Sequence, residues 1–392
     1  MNSTGKKIGL LVIVVAVVGT ILYLESIKAP HQTAVSVIQS IENSTSSTPN
    51  ATGTPARFIA SRTSTIAQEE KQYQAAPEIT DPTGFINTQP FTLASLVGKK
   101  VVLLDFWTYS CINCLRTLPY LNAWYQKYAS SGLVVVGIHT PEFAFEHDIA
   151  NVQAAVQKYN IQYPVVLDNN MGTWDAYGNL YWPHEYLINI DGFIVHDQVG
   201  EGSYNDTEMA IQQALAQRDE ALGIPTSTIP TGLVTPTSVI AIDYDAVASP
   251  ETYFGAARNE YLANGVQGQG GVQTLSIPST IALNSLYLGG TWDFEDQYTQ
   301  NESAGATIVF QYDSKNVYMV AAASSTPVTI QVSVDGQPVG AAAGADVSAT
   351  SSTATIQANR LYNLIQGSSY GMHTLEITVE NPGLQAYTFT FG

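Results

Sequence analysis

The sequence predicts an N-terminal transmembrane anchor, then an α/β domain built on a largely parallel sheet, then an all-β sandwich or jelly roll. Three observations support this prediction: an uncharged apolar run at residues 8–24, alternating strand-like and helix-like patterns between residues 101 and 217, and short alternating strands from about residue 276. The 392 residues are enough for two or three domains that each bury a core.

The N-terminal segment has the pattern of a membrane anchor. Lys6 and Lys7 precede the run from Ile8 to Leu24, which would form a helix of roughly 26 Å at about 1.5 Å per residue. This run is longer than most signal-peptide cores and no A-x-A site closely follows it, so we expect an uncleaved anchor at residues 1–28, with a cleaved signal peptide as the alternative. The lysines place the N-terminus in the cytoplasm and the rest of the chain outside the cell membrane.

The remaining chain divides by composition. Residues 29–76 are rich in Ser, Thr, Gln and Ala and cannot bury enough apolar area to fold, so we expect a flexible tether. Residues 77–220 carry the α/β pattern, residues 221–248 form a Pro- and Thr-rich linker, and residues 249–392 carry the β-sandwich pattern.

Composition and charge exclude one class of function. The formal net charge is −18, and no cluster of Lys and Arg suggests a hidden basic groove. An acidic surface has no electrostatic reason to bind phosphate backbones, so we expect no nucleic-acid partner.

The α/β domain is expected to contain βαβ units closed by a hairpin and a final helix, which is the outline of the thioredoxin fold. The apolar run 101–107 has the pattern of a strand buried on both faces. The other predicted elements are a helix at 111–128, a strand at 133–138, a helix at 151–159, a strand at 163–167, strands at 185–190 and 193–199, and a helix at 206–217.

The chain contains only two cysteines, Cys111 and Cys114, at the predicted junction of a strand and a helix. So short a loop gains little from a structural disulfide, so the pair is expected to serve chemistry. Residues i and i+3 of a helix have Cβ atoms about 5–6 Å apart, so a small adjustment allows a disulfide. The helix N-terminus favours the thiolate of Cys111, the predicted nucleophile, and the more buried Cys114 is expected to resolve mixed disulfides.

Two further residues are candidate catalytic groups. Asp105 lies in the buried strand, where its pKa should be raised and its carboxyl could relay a proton to or from Cys114; the alternative is a structural Asp bonded to backbone. Pro183 precedes an apolar strand, where a cis peptide would face the cysteines and the preceding backbone could pair with substrate; the alternative is a simple strand-entry proline.

We expect aromatic residues near the cysteines to shape the substrate surface, and core packing is an equally supported alternative. These residues are Trp107, Tyr109 and Trp182. The six histidines show no metal-ligand spacing, and we expect no metal. The redox group would be the Cys111–Cys114 disulfide itself, with no separate cofactor.

These residues resemble a known family. Asp105-Phe106-Trp107-x3-Cys111-x2-Cys114, with Pro119 and Pro183, resembles the TlpA/ResA-like extracytoplasmic branch of the thioredoxin superfamily. The blocks WTYSCINCLRTLPYLNAWYQKY, VVVGIHTPEFAFE, YWPHEYLINIDG and GEGSYNDTE are similar to the thioredoxin domain of DipZ-type proteins. Over about residues 77–220, the resemblance implies a nucleophilic Cys111, a resolving Cys114, a cis Pro183 and Asp105 as the buried acid.

The resemblance also bears on partners. DipZ-type proteins carry a CcdA-like electron-conducting membrane domain ahead of the thioredoxin domain, whereas a single anchor is expected here. We therefore expect a separate CcdA-like membrane electron donor, with extracytoplasmic Cys-containing proteins as substrates.

The C-terminal blocks SPETYFG, GGTWDFE, VDGQPVG, RLYNLI, GMHTLEI and YTFTFG resemble the C-terminal domain of DipZ-type proteins, which is similar to carbohydrate-binding modules. A glycan contact is a minor expectation here, with core or edge packing favoured for each of its candidate residues: Tyr253, Trp292 and Tyr298.

The leading hypothesis is a membrane-tethered extracytoplasmic thiol-disulfide oxidoreductase, whose direction the sequence leaves open. A thiol peroxidase is an alternative because Thr108-x-x-Cys111 is similar to the peroxiredoxin motif, although Leu104 stands where that motif has a proline. A non-enzymatic glycan- or wall-binding protein is the third hypothesis, and the intact cysteine pair argues against it.

Overall fold

The computed structural model describes residues 55–392, without the side chains of residues 55–61 and 227. The predicted anchor therefore lies outside the described residues, as does most of the predicted tether. Helix α1 spans Pro55–Glu69, in a segment where the sequence predicted no regular structure. Its Ala, Arg, Gln and Glu residues are good helix formers, which the prediction underweighted. Within residues 55–392, no helix is both long and apolar enough to cross a membrane.

Residues 76–392 form one unit, separate from the unit that contains α1. Its first part, described throughout residues 84–222, is a six-stranded sheet with helices on its faces. The strands are β1 Gly84–Ile86, β2 Val101–Trp107, β3 Leu133–His139, β4 Val165–Leu167, β5 His184–Ile188 and β6 Ile194–Val199. The helices are α2 Ile112–Tyr128, α3 Ile149–Lys158, α4 Gly172–Tyr177 and α5 Tyr204–Leu222.

The strand order is β1-β4-β3-β2-β5-β6. The pairs β2–β3 and β3–β4 are parallel, while β1–β4, β2–β5 and β5–β6 are antiparallel. This arrangement confirms the predicted thioredoxin-like fold, with two βαβ units, a hairpin and a closing helix. The short elements β1 and α4 were not predicted, because three to six residues carry too little periodicity to be recognised.

Strand β2 lies at the centre of the sheet, and all seven of its residues are buried. Its side chains alternate between two faces. Val102, Leu104 and Phe106 join one core cluster, and Leu103 and Trp107 join another that also contains Cys114 and residues of α2 and α5. Asp105 is the one charged residue of this strand, and the alternation places it on the face of Leu103 and Trp107.

Residues 249–392, all of them described, are β-rich. Their strands are β7 Thr252–Tyr253, β8 Gly271–Leu275, β9 Leu286–Phe294, β10 Thr299–Asn301, β11 Ala306–Ala323, β12 Val328–Val334, β13 Gln337–Pro338, β14 Thr353–Ile356, β15 Arg360–Val379 and β16 Leu384–Phe391. The all-β prediction is correct, but these strands form one antiparallel sheet and not the two sheets of a sandwich. Strand β11 pairs with β9 and with β16, and strand β10 also pairs with β9 and with β16. These four strands therefore close into a small barrel.

The physical reason for this closure lies in the long strand β11. Its 18 residues contain register shifts between Ser314 and Asn316 and between Val317 and Tyr318. Such bulges bend a strand and increase its twist. The first half of β11 therefore pairs with β9 and the second half with β16.

The β-rich domain packs against the α/β domain beside the cysteines. Ile112, the residue after Cys111, lies in an apolar cluster with residues of both domains: Phe143, Tyr318, Val320, Ala322, Leu361 and Tyr387. The hydroxyl of Tyr109 donates a hydrogen bond to the backbone oxygen of Asn359 at 3.2 Å. The two domains thus meet at the start of α2.

Candidate active site

The cysteine pair lies at the N-terminus of α2. Cys111 is the N-cap residue, and its Sγ accepts a hydrogen bond from the backbone N–H of Cys114 at 3.4 Å. Cys111 is partly exposed and Cys114 is only 1% exposed. An N–H directed at sulfur stabilises a thiolate, so the geometry favours Cys111 as the nucleophile and hides Cys114 behind it.

The loop that carries the cysteines is held by a buried carboxylate. Glu146, which is fully buried, accepts a hydrogen bond from the Ser110 hydroxyl at 2.6 Å. Its other oxygen accepts the backbone N–H groups of Glu142 and Phe143 at 2.7 and 3.0 Å. One side chain therefore fixes the residue before Cys111 relative to the turn that bears Glu142.

Cys111 opens into a cleft of about 250 Å³ between the two domains. The α/β domain contributes Cys111, Ile112, Asn113, Glu142, Leu180, Tyr181 and Trp182 to its lining. The β-rich domain contributes Glu251, Tyr253, Arg258 and Thr390. A substrate that reaches Cys111 would therefore meet side chains of both domains.

An ion pair crosses the domain boundary in this cleft. Glu142 Oε1 accepts hydrogen bonds from Arg258 Nη1 at 2.7 Å and from the Tyr253 hydroxyl at 2.9 Å. The Arg258 guanidinium lies 3.7 Å from the centre of the Tyr253 ring. Neither the sequence pattern nor the cysteine spacing indicated this cluster, because Glu142 is more than 100 positions from Tyr253 and Arg258 in the chain.

The segment before Pro183 faces Cys111 across the cleft. The peptide bond between Trp182 and Pro183 is cis, which confirms the predicted geometry of that bond. The backbone oxygen of Trp182 lies 4.0 Å from Cys111 Sγ, and Trp182 Nε1 donates a hydrogen bond to the backbone oxygen of Thr140 at 3.0 Å. Of the three aromatic residues expected at the substrate surface, Trp182 lines the cleft.

The other two aromatic residues are part of the core, which corrects the surface prediction for them. Trp107 is fully buried and Tyr109 is 4% exposed, so neither ring can meet a substrate. Both rings pack against the imidazole of His139. They lie inside because β2 is covered on both faces and the β-rich domain covers the loop after it.

Two of the residues that were candidates for stacking on a sugar ring are also packed against other groups of the protein. Trp292 is fully buried and its Nε1 donates to the backbone oxygen of Gly289 at 2.9 Å, so its ring cannot stack on a sugar. The Tyr253 ring is stacked under Arg258.

Asp105 lies in the interior near Cys114. It is 1% exposed, and neither carboxyl oxygen has a hydrogen-bond partner among the described residues, which contradicts the backbone-bonded alternative. Burial raises the pKa of Asp105 to about 8. Burial, followed by the proximity of Cys111 and Asp105, also raises the pKa of the Cys114 thiol. Cys114 therefore needs a proton acceptor, and Asp105 can act as one in its ionised fraction, which grows as the pH approaches 8.

Sequence reasoning missed a second buried acid, Glu185. It lies on β5 directly opposite Asp105 and is 2% exposed. Burial, then the charge of Asp105, raises its pKa well above the ordinary carboxyl value. The sequence did contain a signal for Glu185, because it is the only acid in the apolar strand pattern 185–190. It also lies two positions from the buried Leu187, so both side chains are on the same face of the strand.

In the described part of the chain, no group of three or more His, Cys, Asp or Glu side chains could hold a metal ion. His184 Nδ1 instead lies 3.0 Å from the Tyr186 hydroxyl, beside Asn179.

Comparisons with known proteins agree with this domain arrangement. The profile of the AhpC/TSA family matches residues 73–197, and the profile of the thioredoxin like C-terminal domain matches residues 249–392. Protein DipZ of Mycobacterium tuberculosis is 37% identical over 320 residues, which are 81% of this chain and 43% of DipZ. The chain thus spans less than half the length of that relative.

Two further proteins resemble the α/β domain. A solution structure of a thioredoxin-like protein in the oxidised form is 28% identical and covers 38% of this chain and 98% of its own, with a TM-score of 0.35. Thiol-disulfide oxidoreductase ResA of Bacillus thuringiensis subsp. konkukian is 31% identical over 127 residues, which are 30% of this chain and 70% of ResA. On its similarity to ResA and DipZ, the chain belongs to the thioredoxin-like thiol-disulfide oxidoreductases.

Proposed function

We propose that this protein is a membrane-tethered, extracytoplasmic oxidoreductase that reduces or exchanges disulfides in exported proteins through Cys111 and Cys114. One observation carries the proposal. A partly exposed Cys111 caps a helix at the base of a cleft, while a buried Cys114 lies one turn behind it. This arrangement suits attack by one thiolate and release by the other.

The reaction balances without a cofactor. The Cys111 thiolate attacks a substrate disulfide, so a sulfur–sulfur bond to Cys111 forms and the first substrate thiolate leaves. Cys114 then loses its proton to Asp105 and attacks Cys111 Sγ. The bond between Cys111 and the substrate breaks, the second substrate thiolate leaves, and two electrons have passed from the cysteine pair to the substrate. Solvent protonates both substrate thiolates.

Trapping of mixed disulfides tests this assignment. Cys114→Ala should accumulate covalent adducts on Cys111, because the resolving thiol is gone. The matched control, Cys111→Ala, should accumulate none. Adducts recovered on Cys114 of the Cys111→Ala variant, or on neither cysteine, would reject the proposed roles.

The location and the electron supply are proposed from the sequence. Lys6, Lys7 and the apolar run that follows fit an anchor with a cytoplasmic N-terminus, and they lie outside the described residues. In an oxidising compartment the disulfide would accumulate unless a CcdA-like membrane protein returned electrons. Deleting that carrier should shift the cysteine pair to the disulfide in cells. A pair that is oxidised in the wild type and indifferent to the deletion would instead indicate an oxidase.

A thiol peroxidase is the second candidate, because the AhpC/TSA profile matches and Thr108 stands three residues before Cys111. The Thr108 hydroxyl, however, is fully buried and lies 3.5 Å from His139 Nε2. The contact of this hydroxyl is therefore with another buried residue in the interior of the protein. Hydrogen peroxide consumption as fast as disulfide exchange would favour the peroxidase.

A further inference from the structure

We propose that Asp105, Glu185, Thr207 and His196 form a proton path that connects Cys114 with solvent through the interior of the α/β domain. The inference rests on the proposed function, in which Cys114 resolves the mixed disulfide with Asp105 as its proton acceptor. It adds the route by which that proton leaves the protein.

The path begins with a pair of buried carboxyl groups. Asp105 and Glu185 are register partners on the antiparallel strands β2 and β5. Directly opposite residues in such a pair have Cβ atoms about 4.5–5.5 Å apart on the same face of the sheet. Both oxygens of Asp105 and Oε2 of Glu185 are buried without a hydrogen-bond partner among the described residues. Two buried like charges so close cannot both persist, so the pair retains a proton.

The path continues from Glu185 into helix α5. The side chain of Thr207, which is fully buried, lies beside the carboxyl of Glu185 and partly offsets the rise in its pKa. Thr207 Oγ1 lies 3.1 Å from Nε2 of His196 on β6, and His196 is partly exposed. A hydroxyl can accept one hydrogen bond while it donates another, so Thr207 can pass a proton between the two groups.

The topology explains why such a route is needed. A substrate bonded to Cys111 occupies the cleft at the moment when Cys114 must lose its proton. Cys114 is 1% exposed and Asp105 is 1% exposed, so the cleft side offers no direct exit. His196 is not among the cleft residues, and it reaches solvent away from the bound substrate.

One proton from Cys114 reaches solvent each time a mixed disulfide is resolved. The Cys114 proton moves to the Asp105 carboxylate as Cys114 attacks Cys111 Sγ, and the pair of acids then holds one proton too many. Glu185 gives a proton to Thr207, whose own hydroxyl proton passes to His196 Nε2, and His196 releases a proton to solvent. Reduction of the disulfide reverses these transfers. No oxidant or reductant beyond the substrate disulfide takes part.

The charged and titratable groups beside the path are few. The acid pair interacts with Cys114 of α2, with Tyr163, which precedes β4, and with Tyr204 of α5. Asp197 and Asp206 interact with His196.

The test separates the two thiols in one experiment. A reduced enzyme that reacts with 5,5′-dithiobis(2-nitrobenzoate) releases one thionitrobenzoate when Cys111 attacks and a second when Cys114 resolves the adduct. Thr207→Val keeps the shape but removes the hydroxyl, and should slow the second release about tenfold or more while leaving the first unchanged. Thr207→Ser should restore the second release. Thr173→Val, which removes another fully buried hydroxyl of this domain, is the matched control and should change neither phase.

A second variant keeps the test valid should Thr207→Val fail to fold. His196→Ala should also slow the second release, and added imidazole should restore it, because free imidazole can carry the proton where a purely structural role would not respond. A second release at the wild-type rate in folded Thr207→Val, or a slow His196→Ala that imidazole does not rescue, would overturn the proton path. Failure of Cys114→Ala to trap adducts would instead overturn the proposed function.

Discussion

Asp105 and Glu185 lie directly opposite each other on adjacent antiparallel strands, and both are closed off from solvent. Burial raises the pKa of each carboxyl, and the charge of Asp105 raises that of Glu185 further. At neutral pH the pair therefore retains at least one proton near the thiol of Cys114. A single buried acid would switch between a charged carboxylate and a neutral carboxyl group. A pair of acids can instead share one proton while Cys114 gains or loses the proton of its thiol.

The raised pKa of Asp105 predicts how stability depends on pH. Between the ordinary value of 3.8 and about 8, folded Asp105 holds a proton that the unfolded chain has released. The contribution of Asp105 to the stability of the wild type is therefore fully present below pH 3.8 and is lost as the pH rises towards 8. Relative to the wild type, Asp105→Asn should gain up to about 6 kcal/mol in unfolding free energy across this window.

Urea unfolding at acidic, neutral and alkaline pH would measure this gain. Asp175→Asn, which changes an exposed acid of the same domain, should show no comparable trend. A constant difference between Asp105→Asn and the wild type over the whole range would contradict a buried, proton-holding Asp105.

Unequal exposure predicts unequal reactivity of the two thiols. Cys111 is partly exposed and its sulfur accepts an N–H, while Cys114 is 1% exposed. Iodoacetamide should therefore label Cys111 at least about ten times faster than Cys114 in the folded protein, as peptide mass spectrometry would show. Urea-unfolded protein should label both at similar rates. Equal labelling of the folded protein would exclude Cys111 as the sole nucleophile.

The packing of Ile112 predicts that the domains stabilise each other at the active site. Ile112 is 2% exposed and lies in the apolar cluster that contains Tyr318 and Tyr387 of the β-rich domain. Ile112→Ala should reduce the free energy of unfolding by about 2–4 kcal/mol. Leu180→Ala removes a similar side chain that is 72% exposed in the same cleft, and should change stability by less than about 0.5 kcal/mol. Equal losses in the two variants would mean that Ile112 is not packed as described.

The sequence predicted those parts of the site that depend on local pattern. An apolar run with a single acid marked β2, and the three-residue spacing of the cysteines marked the start of α2. Asp105 could be singled out because a lone acid in a buried strand is unusual. Glu185 carries the same signal and was overlooked, and its position opposite Asp105 depends on the register between β2 and β5, which periodicity within one strand does not reveal.

The second wall of the cleft could not be predicted for a different reason. Arg258 and Tyr253 reach Glu142 only because the two domains pack together, and the intervening chain gives no local signal of that packing. The closure of β9, β10, β16 and β11 was also hidden, because it depends on bulges within one long strand. Alternating patterns predict β-strands but not which strands share a sheet.

The ion pair between Arg258 and Glu142 predicts that the β-rich domain influences substrate choice. Arg258→Gln removes a positive charge from a cleft that also contains Glu142 and Glu251, so the cleft becomes more negative. The value of kcat/KM should fall about threefold to tenfold for disulfide peptides with acidic flanking residues and rise for those with basic ones. An uncharged small disulfide, such as hydroxyethyl disulfide, should react unchanged with Cys111.

The chain offers a close control for this variant. Arg360 also lies in the β-rich domain, pairs with Asp346 at 2.7 Å and stacks 3.7 Å from the centre of the Tyr362 ring, but it does not line the cleft. Arg360→Gln removes the same charge from the same kind of contact, so its effect on peptide preference should be small. If the two variants shift the preference equally, the effect comes from net charge and not from the cleft. If neither variant alters the ratio of acidic to basic peptide rates, substrates approach Cys111 without meeting the wall formed by Tyr253 and Arg258.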